Sequence, residues 1–524
     1  MVKYKAPLRE YEFILREVLG IEKELGSYPE YSEATWDMIE MISEQFAKIN
    51  EDYWLPSAKV GDEVGVKFED GNVIVPESMK EATNVVIEGG LTQLFGHQEY
   101  GGMEFPNVIN VLSDEMSCAA NMSLGIYLGL TKGAYHCIHK HGSQEIRQRY
   151  LPKFLSGEWF GTMCLTEAHC GTDLGLIRTS AKPNGDNYLV SGQKIFISCG
   201  EHDMGENIIH LVLARLPDAP KGVKGISLFL IPKFKVNDDG TIGERNNVNC
   251  VSIEEKMGVH GSATCVMSFE ESTGYLIGEL NDGLAAMFSM MNTERIAVGL
   301  QGLGQAEIAY QNALAYSKDR IQGRDLKGAR NPEDEADPLI VHPDVRRMLL
   351  RSKAIIDSGR MLACWTALAI DKYEKDPDPT IRKENFDLVE LMTPIIKAML
   401  TDYGVEITSE MLQIFGGHGY IKEYGMEQFY RDVRIAPIWE GTNGIQALDL
   451  AGRKMPQHMG RLLRRFFHPA LDFIEDNKED DNLKEFVEPF AKALKGLQKT
   501  SMYMAQRGLS NPYEIGAAAT DYLR

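Results

Sequence analysis

Tyr-Leu-Val-Ser-Gly-Gln-Lys-Ile-Phe-Ile-Ser, residues 188–198, is rich in β-branched and aromatic side chains and follows the turn signal Pro183-Asn184-Gly185-Asp186. That combination predicts a strand. Runs at 208–213, 226–231, 248–253 and 265–269 have the same character, and their spacing is that of a compact barrel or sandwich. The change of pattern begins near Phe160, so the middle of the chain reads as β.

Outward from this centre the apolar period becomes helical on both sides. Before it, Tyr11, Ile14, Leu15, Val18 and Leu19 recur at helical spacing, as do Trp36, Ile39, Ile42 and Phe46. A loop-rich insert is expected at 51–75. Helices are expected at 108–130 and 143–155, with Gly142-Ser143 and Pro152 marking their ends. After the centre, 287–320 predicts one long helix, and Val345, Met348, Ser352, Ile356, Gly359 and Ala363 trace a buried stripe on the next. Segments 323–342 and 374–384 read as exposed connectors. A third long helix is expected at 385–415, with two more at 459–475 and 481–508. No internal repeat occurs.

The fold class expected is mostly α with a central β domain. Its parts are an N-terminal helical extension (1–35), a helical domain (36–160), a β domain (161–280), a helical bundle (281–458) and an extra C-terminal helical segment (459–524).

With 524 residues, 44 % of them hydrophobic and 25 % charged, the chain has the composition of a multi-domain globular protein. Its net charge of −21 argues against nucleic acid or an anionic membrane as partner, since phosphate recognition needs a concentrated basic face. Eight cysteines without a C-x-x-C pair read as reduced thiols in a cytoplasmic protein. The charged N-terminus is no secretory signal, and no run approaches the roughly 20 apolar residues that span a bilayer.

Ile-Trp-Glu-Gly-Thr-Asn-Gly-Ile-Gln, 438–446, sets one carboxylate, Glu440, on a polar turn before an apolar helical run. Thr442 is expected to cap that helix through its hydroxyl, leaving the backbone N–H groups of Asn443 and Gly444 free for a polar ligand. A surface turn is the bland alternative for so short a motif. His136, His139 and His141 lack the Cys or carboxylate partners of a zinc site and read as a helix end, so no metal is expected. Gly299, Gly302 and Gly304 lie inside a helical pattern with no preceding strand, which argues for close helix packing and against a dinucleotide loop.

In sequence order, Met163–Asp173, Lys194–Gly200, Lys256–Thr264, Asp319-Arg320, Gln413–Tyr420, Arg431-Asp432 and finally Glu440 resemble the motifs of the acyl-CoA dehydrogenase family. The resemblance covers residues 90–455. It implies an N-terminal helical domain, a β-barrel or sandwich and a C-terminal helical bundle, here with helical extensions at both ends. It implies FAD as cofactor, with Leu165, Thr166 and Ser198 at the flavin edge and Phe196 as a stacking wall. Gly171 and Thr172 would meet the pyrophosphate, and Gln413, Thr442 and Gly444 are further cofactor positions. Arg320, Gly416 and Gly417 would reach the nucleotide of a neighbouring subunit, implying at least a homodimer.

The implied reaction is α,β-dehydrogenation of an acyl-CoA to the 2-enoyl-CoA, with Glu440 removing the α-proton while hydride passes to flavin N5. Arg295 would support the site, and an electron-transfer flavoprotein or similar acceptor would take the electrons. Burial against Trp439 should raise the Glu440 pKa. An acyl-CoA oxidase would share every motif and pass electrons to oxygen. A non-catalytic acyl-CoA-binding or scaffold protein is the alternative of another class, opposed by Glu440 occurring with both flavin strands. The sequence departs from the common pattern at Trp439, usually tyrosine, and at Gly444, often polar. Its long ends resemble the bacterial subgroup that includes 3-methylmercaptopropionyl-CoA dehydrogenases. Members of that subgroup continue beyond Asp-Tyr-Leu-Arg, so an incomplete last domain is the expectation.

Overall fold

The computed structural model describes residues 2–524, apart from the side chains of 291–293. Short helices α1 (Leu8–Glu12) and α2 (Ile21–Leu25) lead into α3 (Trp36–Ile49) and α4 (Leu55–Glu63). The hairpin β1 (Lys67–Glu69) and β2 (Asn72–Ile74) comes next, then α5 (Glu77–Glu88), α6 (Asn107–His141) and α7 (Gln144–Leu155). Nine strands follow: β3 (Trp159–Cys164), β4 (Ser180–Asn184), β5 (Asn187–Ser198), β6 (Asn207–Ala214), β7 (Ser227–Pro232), β8 (Phe234–Val236), β9 (Ile242–Arg245), β10 (Val248–Ile253) and β11 (Thr264–Ile277). The chain then returns to helix in α8 (Gly283–Asp319), α9 (Pro343–Lys375), α10 (Pro379–Ile414), α11 (Met426–Val433), α12 (Asn443–Asp449), α13 (Arg461–Asn477), α14 (Lys484–Gly508) and α15 (Pro512–Leu523). The helical, β, helical order is the one expected.

Several local expectations are corrected. The segment 51–75 is ordered as α4 and the β1–β2 hairpin, because Asp70 (φ 48°) and Gly71 (φ 82°) supply the two left-handed residues of a tight turn. Pro152 lies inside α7 and does not end it. The supposed connector 374–384 shrinks to 376–378, and α15 was not foreseen. Helix α6 breaks at Asn121 (φ −153°, ψ 91°), whose Oδ1 accepts from Leu124 N at 3.2 Å, so one apolar stretch becomes two limbs.

The main sheet runs β3-β6-β7-β11-β5-β4, with β10 also on β11. Among the described strand pairs β3 and β6 run parallel and the others antiparallel. The first part of β11 pairs with β5 and β10, and its end pairs with β7 after a bulge at Phe269/Ser272. A bulge bends a strand, so β11 serves two sheets that close over Val190, Ile197, Val212, Phe229 and Met267.

The α8–α10 crossing is set by glycine. A Cβ at Gly302 would stand 2.4 Å from Leu400 O, and one at Gly404 would stand 2.8 Å from Gly302 Cα. The glycine run therefore brings backbones together, as expected. At the centre of the helical part, fully buried Arg360 on α9 pairs with Glu115 on α6 and Glu307 on α8. Tyr11 of the N-terminal extension donates to Glu115, which ties the extension to this buried charge cluster.

Candidate active site

Residues 437–446 form the turn between α11 and α12. Glu440 (φ 53°) and Gly441 (φ 80°) are both left-handed, a conformation costly for a glutamate and held only by its surroundings. Gln446 Nε2 on α12 donates to the carbonyls of Glu440 (3.2 Å) and Gly441 (2.9 Å). Asn443 anchors α12 to α10, donating to Ala398 O, Thr401 Oγ1 and Asp402 Oδ1 while accepting from Lys397 Nζ at 2.8 Å. The expected cap is corrected here. The Thr442 hydroxyl donates back to Pro437 O at 3.3 Å, and the Asn443 N–H is likewise taken by Pro437 O at 3.0 Å. The turn needs those donors to close on itself.

Glu440 faces a cavity of about 1110 Å³ of empty space, mouth included, walled by α3, α5, α6, α8, β3 and the end of β5. Its Oε2 is buried and has no hydrogen-bond partner among the described residues. Burial raises its pKa, opposed by the charges of Arg295 and Lys397. Arg295 is itself buried, and Gly441 makes room for Gln446, whose Nε2 a Cβ there would meet at 2.6 Å. Burial lowers Lys397 to about 7, with Glu440 and Asp402 pulling the other way.

Two groups of this site were missed from sequence. Glu294, next to Arg295, is 5 % exposed and lines the cavity with its Oε1 unpartnered among the described residues. Burial and then the Glu440 charge push its pKa well above the usual carboxylate range. Gly133 makes room for it, because a Cβ there would meet Glu294 Oε1 at 2.2 Å. Lys397, fully buried in α10, was signalled by standing alone in the apolar run Pro394–Leu400.

Ser198 lines the same cavity as Glu440. Phe196 is 60 % exposed at φ 57°, beside a register shift of β5 on β11. An exposed aromatic ring held in a left-handed bulge is the platform a flat ring system needs. Leu165 and Thr166 lie just past β3, with Thr166 O accepting from Ile195 N at 2.9 Å. Lys194 Nζ donates to Leu165 O and to Glu167, each at 2.9 Å, and Glu167 also receives Arg178 N and Thr179 N. These bonds pin the loop that carries exposed Gly171 and Thr172. Gly444 is exposed with open space where a Cβ would sit.

Arg320, Gln413, Gly416 and Gly417 are exposed and lie at the far ends of α8 and α10, brought together where Tyr316 stacks on Phe415 at 4.1 Å. Arg320 follows Glu294 by roughly 39 Å of helix at 1.5 Å per residue. These four residues are therefore remote from the Glu440 cavity of their own chain. The histidines are packing groups: His139 stacks on His97 at 3.6 Å, and burial lowers His136 to about 3.

Four family models match in order: the acyl-CoA dehydrogenase N-terminal domain (residues 40–158), middle domain (162–272) and C-terminal domain (281–455), then the acetyl-CoA dehydrogenase C-terminal-like domain (466–524). The chain is 44 % identical over 464 residues to 3-methylmercaptopropionyl-CoA dehydrogenase of Ruegeria pomeroyi, covering 88 % of this chain and 78 % of that one. It is 37 % identical over 499 residues to a butyryl-CoA dehydrogenase of Syntrophomonas wolfei, covering 92 % and 81 %. The crystal structure of Caenorhabditis elegans ACDH-11 in complex with C11-CoA shares the fold at a TM-score of 0.81, with 20 % identity over 100 % of this chain and 86 % of that one. A cavity built around an unpaired carboxyl, the β domain beside it and these likenesses over nearly the whole length agree: the chain belongs to the acyl-CoA dehydrogenase family.

Proposed function

We propose that Glu440 is the base that takes the α-proton of a bound acyl-CoA in an FAD-dependent α,β-dehydrogenation yielding the 2-enoyl-CoA. The observation that carries this reading is the Glu440 carboxyl, buried against a large cavity with Oε2 unpaired. A free glutamate titrates near 4.3 and is a weak base. Burial raises Glu440, while Arg295 and Lys397 keep it within reach of ionisation. The Glu440 N–H has no partner among the described residues and could donate to the thioester oxygen, an interaction worth about 3–4 kcal/mol when preorganised.

FAD, when bound, supplies the hydride acceptor. Phe196, Ser198, Leu165 and Thr166 would hold its ring, and Gly171 and Thr172 its pyrophosphate. Arg320, Gln413, Gly416 and Gly417, exposed and remote from their own cavity, would complete the cofactor site of a second copy, so the active unit is a homodimer or larger. The family resemblance supports an electron-transfer flavoprotein or a similar carrier as the acceptor. All eight cysteines are unpaired and buried, which supports a reducing, cytoplasmic setting. No described helix is long and apolar enough to cross a membrane.

Glu294 gives a second reading of the base, because it faces the same cavity with an unpaired oxygen. Glu440→Gln and Glu294→Gln separate the two. With Glu440 as base, Glu440→Gln keeps its yellow colour and acyl-CoA binding but loses α-proton exchange and at least about 10²- to 10⁴-fold in turnover. If Glu440→Gln still exchanges the α-proton and Glu294→Gln does not, the base is Glu294.

A further inference from the structure

The cavity does more than hold a base. From Glu440 it runs along one face of α8, past Glu294, Ala297 and Val298 to Gln301, the i, i+3, i+4, i+7 positions that share a helix side. Seven residues of helix make that face about 10 Å long. A pocket for plain alkyl chains needs apolar walls, and Phe46, Trp54 and Leu94 provide them elsewhere in the same cavity. The α8 face differs. Gln301 is 7 % exposed and its Oε1 has no partner among the described residues, and the same holds for Glu294 Oε1. Buried polar atoms are nearly always hydrogen-bonded, so two orphan oxygens on one wall of a ligand cavity point to a ligand that pairs with them.

The charges nearby narrow the chemistry. Lys132 Nζ, on the same cavity wall, is already paired with Asp114 Oδ2 at 2.5 Å. A second carboxylate on the acyl chain beside Gln301 would lie next to Glu294 and Asp114, with Lys132 already paired to Asp114 and the Arg295 charge set against Glu440. An ammonium would lie near Lys132 and Arg295. With Glu294 kept protonated by burial and the Glu440 charge, an uncharged hydroxyl suits both: it donates its hydrogen to Gln301 Oε1 and accepts one from the Glu294 carboxyl.

Resting on the acyl-CoA dehydrogenase reading, we propose that this enzyme prefers acyl-CoA thioesters whose chain carries a hydroxyl several carbons beyond the reacting pair, held by Gln301 and Glu294. The test compares kcat/KM of the FAD-loaded enzyme for hexanoyl-CoA with those for 4-, 5- and 6-hydroxyhexanoyl-CoA. One hydroxylated chain should exceed hexanoyl-CoA by on the order of 10²-fold, well below the preference of a site built wholly around a hydrogen bond. Gln301→Leu should collapse that ratio. Equal or better use of hexanoyl-CoA by the wild-type enzyme overturns the proposal without any variant, as does an unchanged ratio in Gln301→Leu. If no acyl-CoA of either kind reduces the flavin, the dehydrogenase reading itself fails.

Discussion

Replacing Gly302 with alanine sets two effects of opposite sign against each other. Gly302 lies inside α8, where alanine is favoured over glycine by about 1 kcal/mol on helix propensity alone. The new methyl would stand 2.4 Å from Leu400 O, with Leu400 C and Thr401 Cα both at 2.8 Å. Ordinary contact begins near 3.4 Å, so α8 and α10 must separate by about 1 Å. The obstructing atoms are backbone, with no flexible side-chain end to swing aside. Overpacking of this kind costs about 1–3 kcal/mol, and a backbone clash belongs at the upper end, leaving a net loss of about 1–2 kcal/mol. Gly496→Ala in α14 is the control, because nothing lies within 4 Å of its Cβ. Propensity acts alone there, and a gain of up to about 1 kcal/mol is expected. Urea midpoints of both variants against the wild type, loaded with cofactor, measure the difference. A Gly302→Ala protein as stable as Gly496→Ala would refute the claim that backbone contact sets the α8–α10 distance.

Two further expectations concern charge. The Lys397 cation lowers the Glu440 pKa, so Lys397→Met should move the acid limb of the kcat/KM profile to higher pH, and a limb that stays or moves down would remove Lys397 from that role. Arg360→Met leaves Glu115 and Glu307 buried without their shared partner. Removing one member of a buried ion pair costs about 3–5 kcal/mol, read as a lower denaturation midpoint; a change under about 1 kcal/mol would show that the cluster is neutralised some other way.

The β-branched and aromatic content of Tyr188–Ser198 and the helical stripes around it were enough to order the chain as helices, strands, then helices, because residue type and period report which element a segment forms and which face it buries. The motif series ending at Glu440 added the family. Glycines 299, 302 and 304 were legible as packing residues since no strand preceded them. Short-range geometry was less legible. The Asp70-Gly71 hairpin was passed over within a polar stretch, and the Thr442 hydroxyl bonds to Pro437 O within its own turn and not to the helix amides.

What the amino-acid sequence determined by itself was therefore the order of elements and the identity of the residues on each buried face, both properties of local period. Only the tertiary structure decided which charges meet. Glu294 and Lys397 sit 146 and 43 residues from Glu440 along the chain, and they enter its surroundings because α8, α10 and the 437–446 turn pack together. Arg320 and Gly416, by contrast, were carried away from that cavity by the length of their helices. An electrostatic environment depends on distance in space and on the exclusion of water, and neither is written in the spacing of residues along the chain.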